Sequence, residues 1–356
     1  MTTEMNVAMY YNNQDVRIEK QPIPSIGEDE MLVKVKASGI CGSDVMEWYR
    51  IKKAPLVLGH EIAGDVVNVG KNVSKFSVGD RVFVTHHVPC NTCRFCLNNQ
   101  HTLCHTLHIT KFYPGGFAEY LRVPAINVDR GTFLLPKNMT YHQGTFIEPL
   151  ACVIRGFRTA GFRPAQSVLV IGSGMAGLLN IKLAKAYGAT TIFATDIQEY
   201  RLQCAKKMGA DIVIHAKEPV AEVIKKQNDG RLADFVILCT GAASGVKQAL
   251  ECIEPGGTLL LFAPTMPKEI IPLDMFEIWN KQITIVSTYA GAGKDILDTI
   301  ALLKHNTIKI DDMITHVLPL ADAKKGFALV AQAQESIKVI LEPFAKKEKN
   351  KGKKTN

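Results

Sequence analysis

No stretch of the chain approaches the run of about 18 apolar residues that a bilayer span needs, which excludes a membrane-spanning helix. The opening MTTEMNVAMYYNNQD has no continuous apolar core of a secretion signal, so the expected location is the cytoplasm. Internal repeats are absent, which excludes solenoids and propellers. Cysteine is not scarce, but the nine present do not form a disulfide pattern: four fall within fifteen residues and the rest are scattered. In a reducing compartment that distribution points to a metal cluster plus buried thiols. The basic excess is local as well. Six lysines against one glutamate in the last eleven residues hold +5 of the formal +8. A Lys-rich end without apolar residues cannot bury a core, so 345–356 is expected to be a disordered, solubilising tail. What remains has scattered basic residues and no nucleic-acid stripe.

An apolar fraction of 47% and 356 residues suit a soluble protein of two domains. The first 150 residues alternate in short segments such as MLVKVKASGI (31–40) and RVFV (81–84), broken by turn signals. From about 165 the rhythm changes. Apolar strands SVLVI (167–171), TIFAT (191–195), DFVILC (234–239) and TLLLFA (258–263) alternate with helical stretches, one of which stops at Gly188. Such alternation predicts an α/β fold with a doubly wound parallel sheet behind a β-rich domain.

Three constellations carry chemistry. Cys90, Cys93, Cys96 and Cys104 can close a tetrahedral Cys₄ shell around zinc, with no position left for catalysis. An iron–sulfur cluster fits less well, because seven residues separate the last two cysteines and no proline follows. Next, Cys41-Gly-Ser43-Asp44 and Gly59-His60-Glu61, together with Glu148 of Ile-Glu-Pro-Leu, offer a thiolate, an imidazole and two carboxylates. That suffices for a three-ligand zinc site with a fourth position open to water or substrate. Asp44 is the candidate acceptor for the second imidazole nitrogen. Last, Gly172-Ser-Gly174-Met175-Ala176-Gly177 follows an apolar strand, opens a helical stretch and precedes Asp196 at the end of the next strand. This is the context of a dinucleotide fingerprint, and the Asp196 charge favours NAD over NADP.

Together these residues resemble the zinc-containing medium-chain dehydrogenase/reductases, and within them the sorbitol (polyol) dehydrogenase branch. The motifs are C-G-S-D at 41–44, G-H-E at 59–61, V-G-D-R-V at 78–82, the Cys₄ lobe, I-E-P-L and the glycine fingerprint, spread over about 5–343. The resemblance implies a GroES-like catalytic domain at 1–151 with its structural zinc lobe at 86–110. A Rossmann domain follows at 152–289, and 290–344 returns to the catalytic domain. It implies two zinc ions per chain: a catalytic one on Cys41, His60 and Glu61, with Glu148 as ligand or partner of its water, and a structural one on the four lobe cysteines. Ser43 would touch the substrate oxygen, Tyr289 would line the pocket, and Thr240, Gly241 and Arg201 would join the glycines and Asp196 around NAD. The implied activity is oxidation of a secondary alcohol (a polyol, cyclitol or sugar alcohol) to a ketone. L-threonine 3-dehydrogenase-like and hexitol-phosphate dehydrogenase activities are the alternatives, and a zinc-ribbon nucleic-acid binder is a remote one. The expected partners are a small-molecule alcohol and further copies of the chain as a dimer or tetramer, with no membrane and no nucleic acid.

Two departures stand out. Many relatives place a proton-passing histidine five residues after the first ligand, where this chain has Met46. The segment Tyr49 to Pro55, with Lys52 and Lys53, is also short for a sorbitol enzyme.

Overall fold

The computed structural model describes residues 3–345, so the expected Lys-rich tail lies, apart from Ala345, outside the described residues. Two compact units divide the chain: Met1–Cys90, His105–Ile147 and Ile310–Asn356 form one, and Asn91–Cys104 with Glu148–Lys309 form the other.

In the first unit, Met31–Gly39 is the organising strand. Its alternation turns Met31, Val33, Val35 and Ala37 inward, while Leu32, Lys34 and Lys36 face outward. It pairs antiparallel with Glu61–Val69 on one side and with Lys338–Glu342 and Tyr120–Val123 on the other. The sheet extends through Arg81–Val84 and Thr132–Leu134 at one edge and Ile314–Pro319 at the other. A smaller sheet joins Asp15–Pro22, Glu4–Asn12 and Leu56–Val57. Apolar clusters of the described residues fill the unit. Val33, Val35, Ile62, Val66 and Val82 belong to one, and Val7, Tyr10, Phe117, Phe327 and Leu341 to another. Burial of each such side chain contributes about 1.5–3 kcal/mol.

The second unit is the predicted parallel sheet. Its six strands are Val168–Ile171, Ile192–Asp196, Ile212–His215, Ala233–Leu238, Ile253–Leu261 and Thr284–Ser287. They lie in the spatial order 3-2-1-4-5-6 and every pairing is parallel. The first two strands are buried at every position, as expected of parallel strands covered on both faces. The order reverses between Val168–Ile171 and Ala233–Leu238, and a crevice at such a switch point is where dinucleotides bind.

The chain re-enters the first unit at Ile310 rather than at 290. Helix Gly293–Lys304 stays with the parallel sheet because Asp295, buried beneath it, pairs with Arg155 and Arg158 of helix Ile147–Thr159. Among the described residues, no helix is long and apolar enough to cross a membrane.

Candidate metal and nucleotide sites

Cys41 ends the strand–turn segment that follows Gly39 and caps the 3₁₀ turn Gly42–Val45. Its Sγ accepts from the Ser43 amide at 3.4 Å, while its own amide donates to Asp44 Oδ2 at 3.1 Å. His60 and Glu61 sit at the start of the neighbouring strand, and Glu61 lies opposite Gly39. The sheet thereby brings Cys41, His60 and Glu61 together across nineteen residues of sequence, with one ligand atom of each within 4.8 Å of the others. His60 Nδ1 lies 3.4 Å from Asp44 Oδ1, which places the acid where it fixes the imidazole's orientation.

The electrostatics follow from this geometry. Burial alone would raise the Asp44 pKa, but His60, Arg50 and the Cys41 amide outweigh it and hold the carboxyl below its ordinary value. Burial would likewise lower His60, yet the charges of Asp44 and Cys41 raise it well above the ordinary imidazole value in the protein alone. Such a concentration of negative charge around one imidazole is the setting a divalent cation neutralises. Glu61 Oε1 adds a buried carboxylate oxygen with no hydrogen-bond partner. An orphan of that kind calls for an ion or water, and one thiolate, one imidazole and one carboxylate fit zinc with a position to spare.

Three residues that the motifs did not single out belong to this neighbourhood. Arg50 donates from Nε to the Ser43 carbonyl at 2.9 Å and from Nη2 to Ser43 Oγ at 3.1 Å, and stands 3.6 Å from Asp44. His86 lies with its ring centre 4.8 Å from that of His60 and 3.7 Å from that of His87. Burial and neighbouring imidazoles push His86 well below its ordinary value and His87 to about 3, so both are neutral at pH 7. The His86-His87 doublet, between strand Arg81–Val84 and Cys90, was the only sequence signal for them.

Cys90, Cys93, Cys96 and Cys104 also gather, their sulfurs within 4.8 Å of one another, and Cys96 and Cys104 are buried. Cys93 caps the short helix Arg94–Leu97, so two ligands come from one turn. Arg130 Nη1 holds the Cys90 carbonyl at 2.8 Å. Four thiols around one point, none in a disulfide, match a closed Cys₄ zinc shell.

In the second unit, Gly172 has φ +93°, and helix Met175–Ala186 starts at Gly174. A Cβ at Gly177 would overlap the Gly172 carbonyl, so the turn closes only on glycine. Met175 and Ala176 form the first helical turn, whose unpaired amides suit a pyrophosphate. Asp196 is buried at the end of its strand, accepting from Ser173 N at 2.8 Å and Gln198 N at 2.9 Å, with Arg201 Nη1 4.0 Å away. Thr240 packs against Gly172 at the switch point, and Gly241 passes close to the Pro264 carbonyl. Glu148 lies in the first turn of its helix and accepts from Cys152 Sγ at 3.5 Å. Tyr289 is partly exposed just beyond the last strand of this unit.

A parallel nucleotide-binding sheet, a mixed three-donor metal site and a Cys₄ lobe define the class: a nicotinamide-linked zinc oxidoreductase. Residues 27–130 match the alcohol dehydrogenase GroES-like domain and residues 176–305 the zinc-binding dehydrogenase domain. The chain is 36% identical to an L-threonine 3-dehydrogenase of Caldanaerobacter subterraneus subsp. tengcongensis, over 95% of this chain and 98% of that one. It is 34% identical to a sorbitol dehydrogenase of Bacillus subtilis, over 81% and 83%. The crystal structure of a zinc-binding dehydrogenase from Sinorhizobium meliloti bound to NADP superposes with a TM-score of 0.86 at 27% identity, covering 96% of this chain and all of that one. The chain belongs to the zinc-containing medium-chain dehydrogenase/reductase superfamily, in its sorbitol dehydrogenase-like branch, and it is an alcohol dehydrogenase enzyme.

Proposed function

We propose that the enzyme oxidises a secondary alcohol of the polyol, cyclitol or sugar-alcohol class to the ketone, passing the hydride to NAD. The observation that carries this reading is the Cys41, His60 and Glu61 group, whose three mixed donors leave one coordination position for a hydroxyl. A zinc ion bound there supplies Lewis acidity, which lowers the pKa of the hydroxyl presented to it. The chain's own residues do the rest. Asp44 holds His60 in one orientation. Ser43, fixed from behind by Arg50, keeps one oxygen lone pair to take the substrate's hydroxyl proton and one hydrogen to hand outward. With Met46 in place of an imidazole, the proton leaves from Ser43 Oγ through water, with Glu148 as the auxiliary acceptor. Tyr289 lines the pocket.

Gly172, Gly174, Met175, Ala176 and Gly177 hold the pyrophosphate of the cofactor, and Thr240 and Gly241 flank it. The Asp196 carboxylate takes the ribose hydroxyls beside Arg201. Its charge argues for NAD, although a structural relative binds NADP. A second zinc on Cys90, Cys93, Cys96 and Cys104 stiffens the lobe. We assign 1–151 and the C-terminal return from Ile310 to the catalytic domain, and the parallel-sheet segment from 152 on, helix Gly293–Lys304 included, to the Rossmann domain. Nine cysteines without a disulfide suit the cytoplasm. We assign the enzyme as a homo-oligomer, dimer or tetramer. The last strand, Thr284–Ser287, lies at the sheet edge with Ile285 exposed, near exposed Met275, Phe276 and Trp279. Such an apolar edge suits pairing with a second copy.

The similarity to an L-threonine 3-dehydrogenase favours an amino alcohol as the second reading. A panel of polyols, inositols, threonine and hexitol phosphates, followed by NADH absorbance, separates the two. Turnover highest on a polyol or cyclitol is the expected result. Turnover confined to threonine gives the second reading, and no turnover on any secondary alcohol removes both.

A further inference from the structure

Among the described residues, Lys338 is the only buried lysine or arginine. It opens strand Lys338–Glu342, which flanks Met31–Gly39 on the side opposite Glu61–Val69. In that register Ile340 and Glu61 both lie opposite Gly39. The lysine crosses the central strand at Gly39, and its ammonium pairs with Glu61 Oε2. A Cβ on Gly39 would overlap both the carboxylate and the ammonium, so the passage exists only because that residue is glycine. The Phe146 ring, centred 5.0 Å from Nζ, gives the cation a second favourable face. With Oε2 engaged, Oε1 is the remaining donor oxygen of Glu61, and it is buried without a partner.

We infer that Lys338 is a positioning residue that divides the Glu61 carboxylate: the ammonium holds Oε2 and leaves only Oε1 for a bound metal, so that Glu61 would serve as a one-oxygen, weakened and exchangeable ligand. This rests on the proposed zinc position at Cys41, His60 and Glu61. The physical reason is that a carboxylate shared with an ammonium presents less charge to a metal. A weakly held third ligand frees the coordination sphere for substrate entry and product exit.

The test uses the zinc-loaded enzyme and follows release from the mixed-ligand site into a chelator, with cobalt(II) exchanged into that site as the visible probe. Lys338→Met should release the ion at least about tenfold more slowly than wild type, because the Glu61 carboxylate then gives its undivided charge to the metal. Lys338→Arg should restore the wild-type rate. In a Glu61→Gln background, Lys338→Met should have no effect, because the carboxylate it acts through is gone. Folded Lys338→Met enzyme that releases metal as fast as wild type, or faster, overturns the inference. So does an equal slowing in the Glu61→Gln background. Should Lys338→Met fail to fold, Glu61→Gln/Lys338→Met, which leaves neither charge buried alone, is compared with Glu61→Gln. A tenfold difference between those two also overturns it. The zinc reading fails separately: Cys41→Ala protein that still carries two tightly bound ions disproves the site, whatever Lys338 does.

Discussion

At the scale of single residues, the contacts around Ser43 sharpen what its substitution should do. Arg50 occupies one side of the hydroxyl, so truncation removes a pre-oriented acceptor rather than a freely rotating one. Ser43→Ala is expected to lower kcat by about 10²–10⁴-fold, the usual range for general acid–base help, with the NAD dissociation constant unchanged. Turnover at the wild-type level near pH 6, where removing the hydroxyl proton is hardest, would remove Ser43 from the proton route. Asp196 is the second residue-scale case. Its carboxylate already accepts two backbone amides, so it is fixed before the cofactor arrives. Lost ribose hydrogen bonds and relieved repulsion should together be worth about 2–4 kcal/mol. Asp196→Ser should therefore narrow the ratio of kcat/KM for NAD over NADP. A wild-type enzyme that uses both cofactors equally would show that Asp196 does not discriminate. Neither Arg50 nor Lys338 was legible beforehand. A lysine in an alternating strand near the end of a chain reads as solvated, and only the sheet shows it crossing Gly39.

At the scale of elements, the exposed edge strand Thr284–Ser287 carries the prediction. All but one of its four residues are exposed, unlike the fully buried strand Val168–Ile171. Light scattering is expected to give a mass of at least twice 39.2 kDa, and Ile285→Lys should shift it toward the monomer with the near-UV spectrum preserved. A wild-type monomer at micromolar concentration would leave this edge without a partner copy. The parallel strands themselves were legible, because burial on both faces demands runs of apolar β-formers. The bounds of the second unit were harder to read. Helix Gly293–Lys304 is amphipathic in either setting, and the pairs of its Asp295 and Asp298 with Arg155 and Arg158 of helix Ile147–Thr159 tie it to the second unit.

At the scale of the whole molecule, two metal groups of different chemistry should behave differently toward a chelator. Four thiolates would close the shell of an ion in the lobe, whereas Cys41, His60 and Glu61 would leave a position open. Mild chelation should remove one zinc early, together with activity, and the second only with loss of the lobe's structure. Elemental analysis alongside far-UV circular dichroism checks this. A single ion per chain, or iron in the lobe, would contradict it.

What the sequence determined by itself were the local chemistries. Cysteine spacing within one loop, the glycine fingerprint between strand and helix, and the acid closing the next strand all act over a few residues, where chain geometry leaves little choice. Tertiary structure alone decided how distant segments meet. It placed Glu61 and Lys338 on opposite sides of Gly39, 277 positions apart, brought His86 beside His60, and set Arg50 behind Ser43. Such contacts depend on strand register and sheet order, and those follow from the packing of the whole core rather than from any motif.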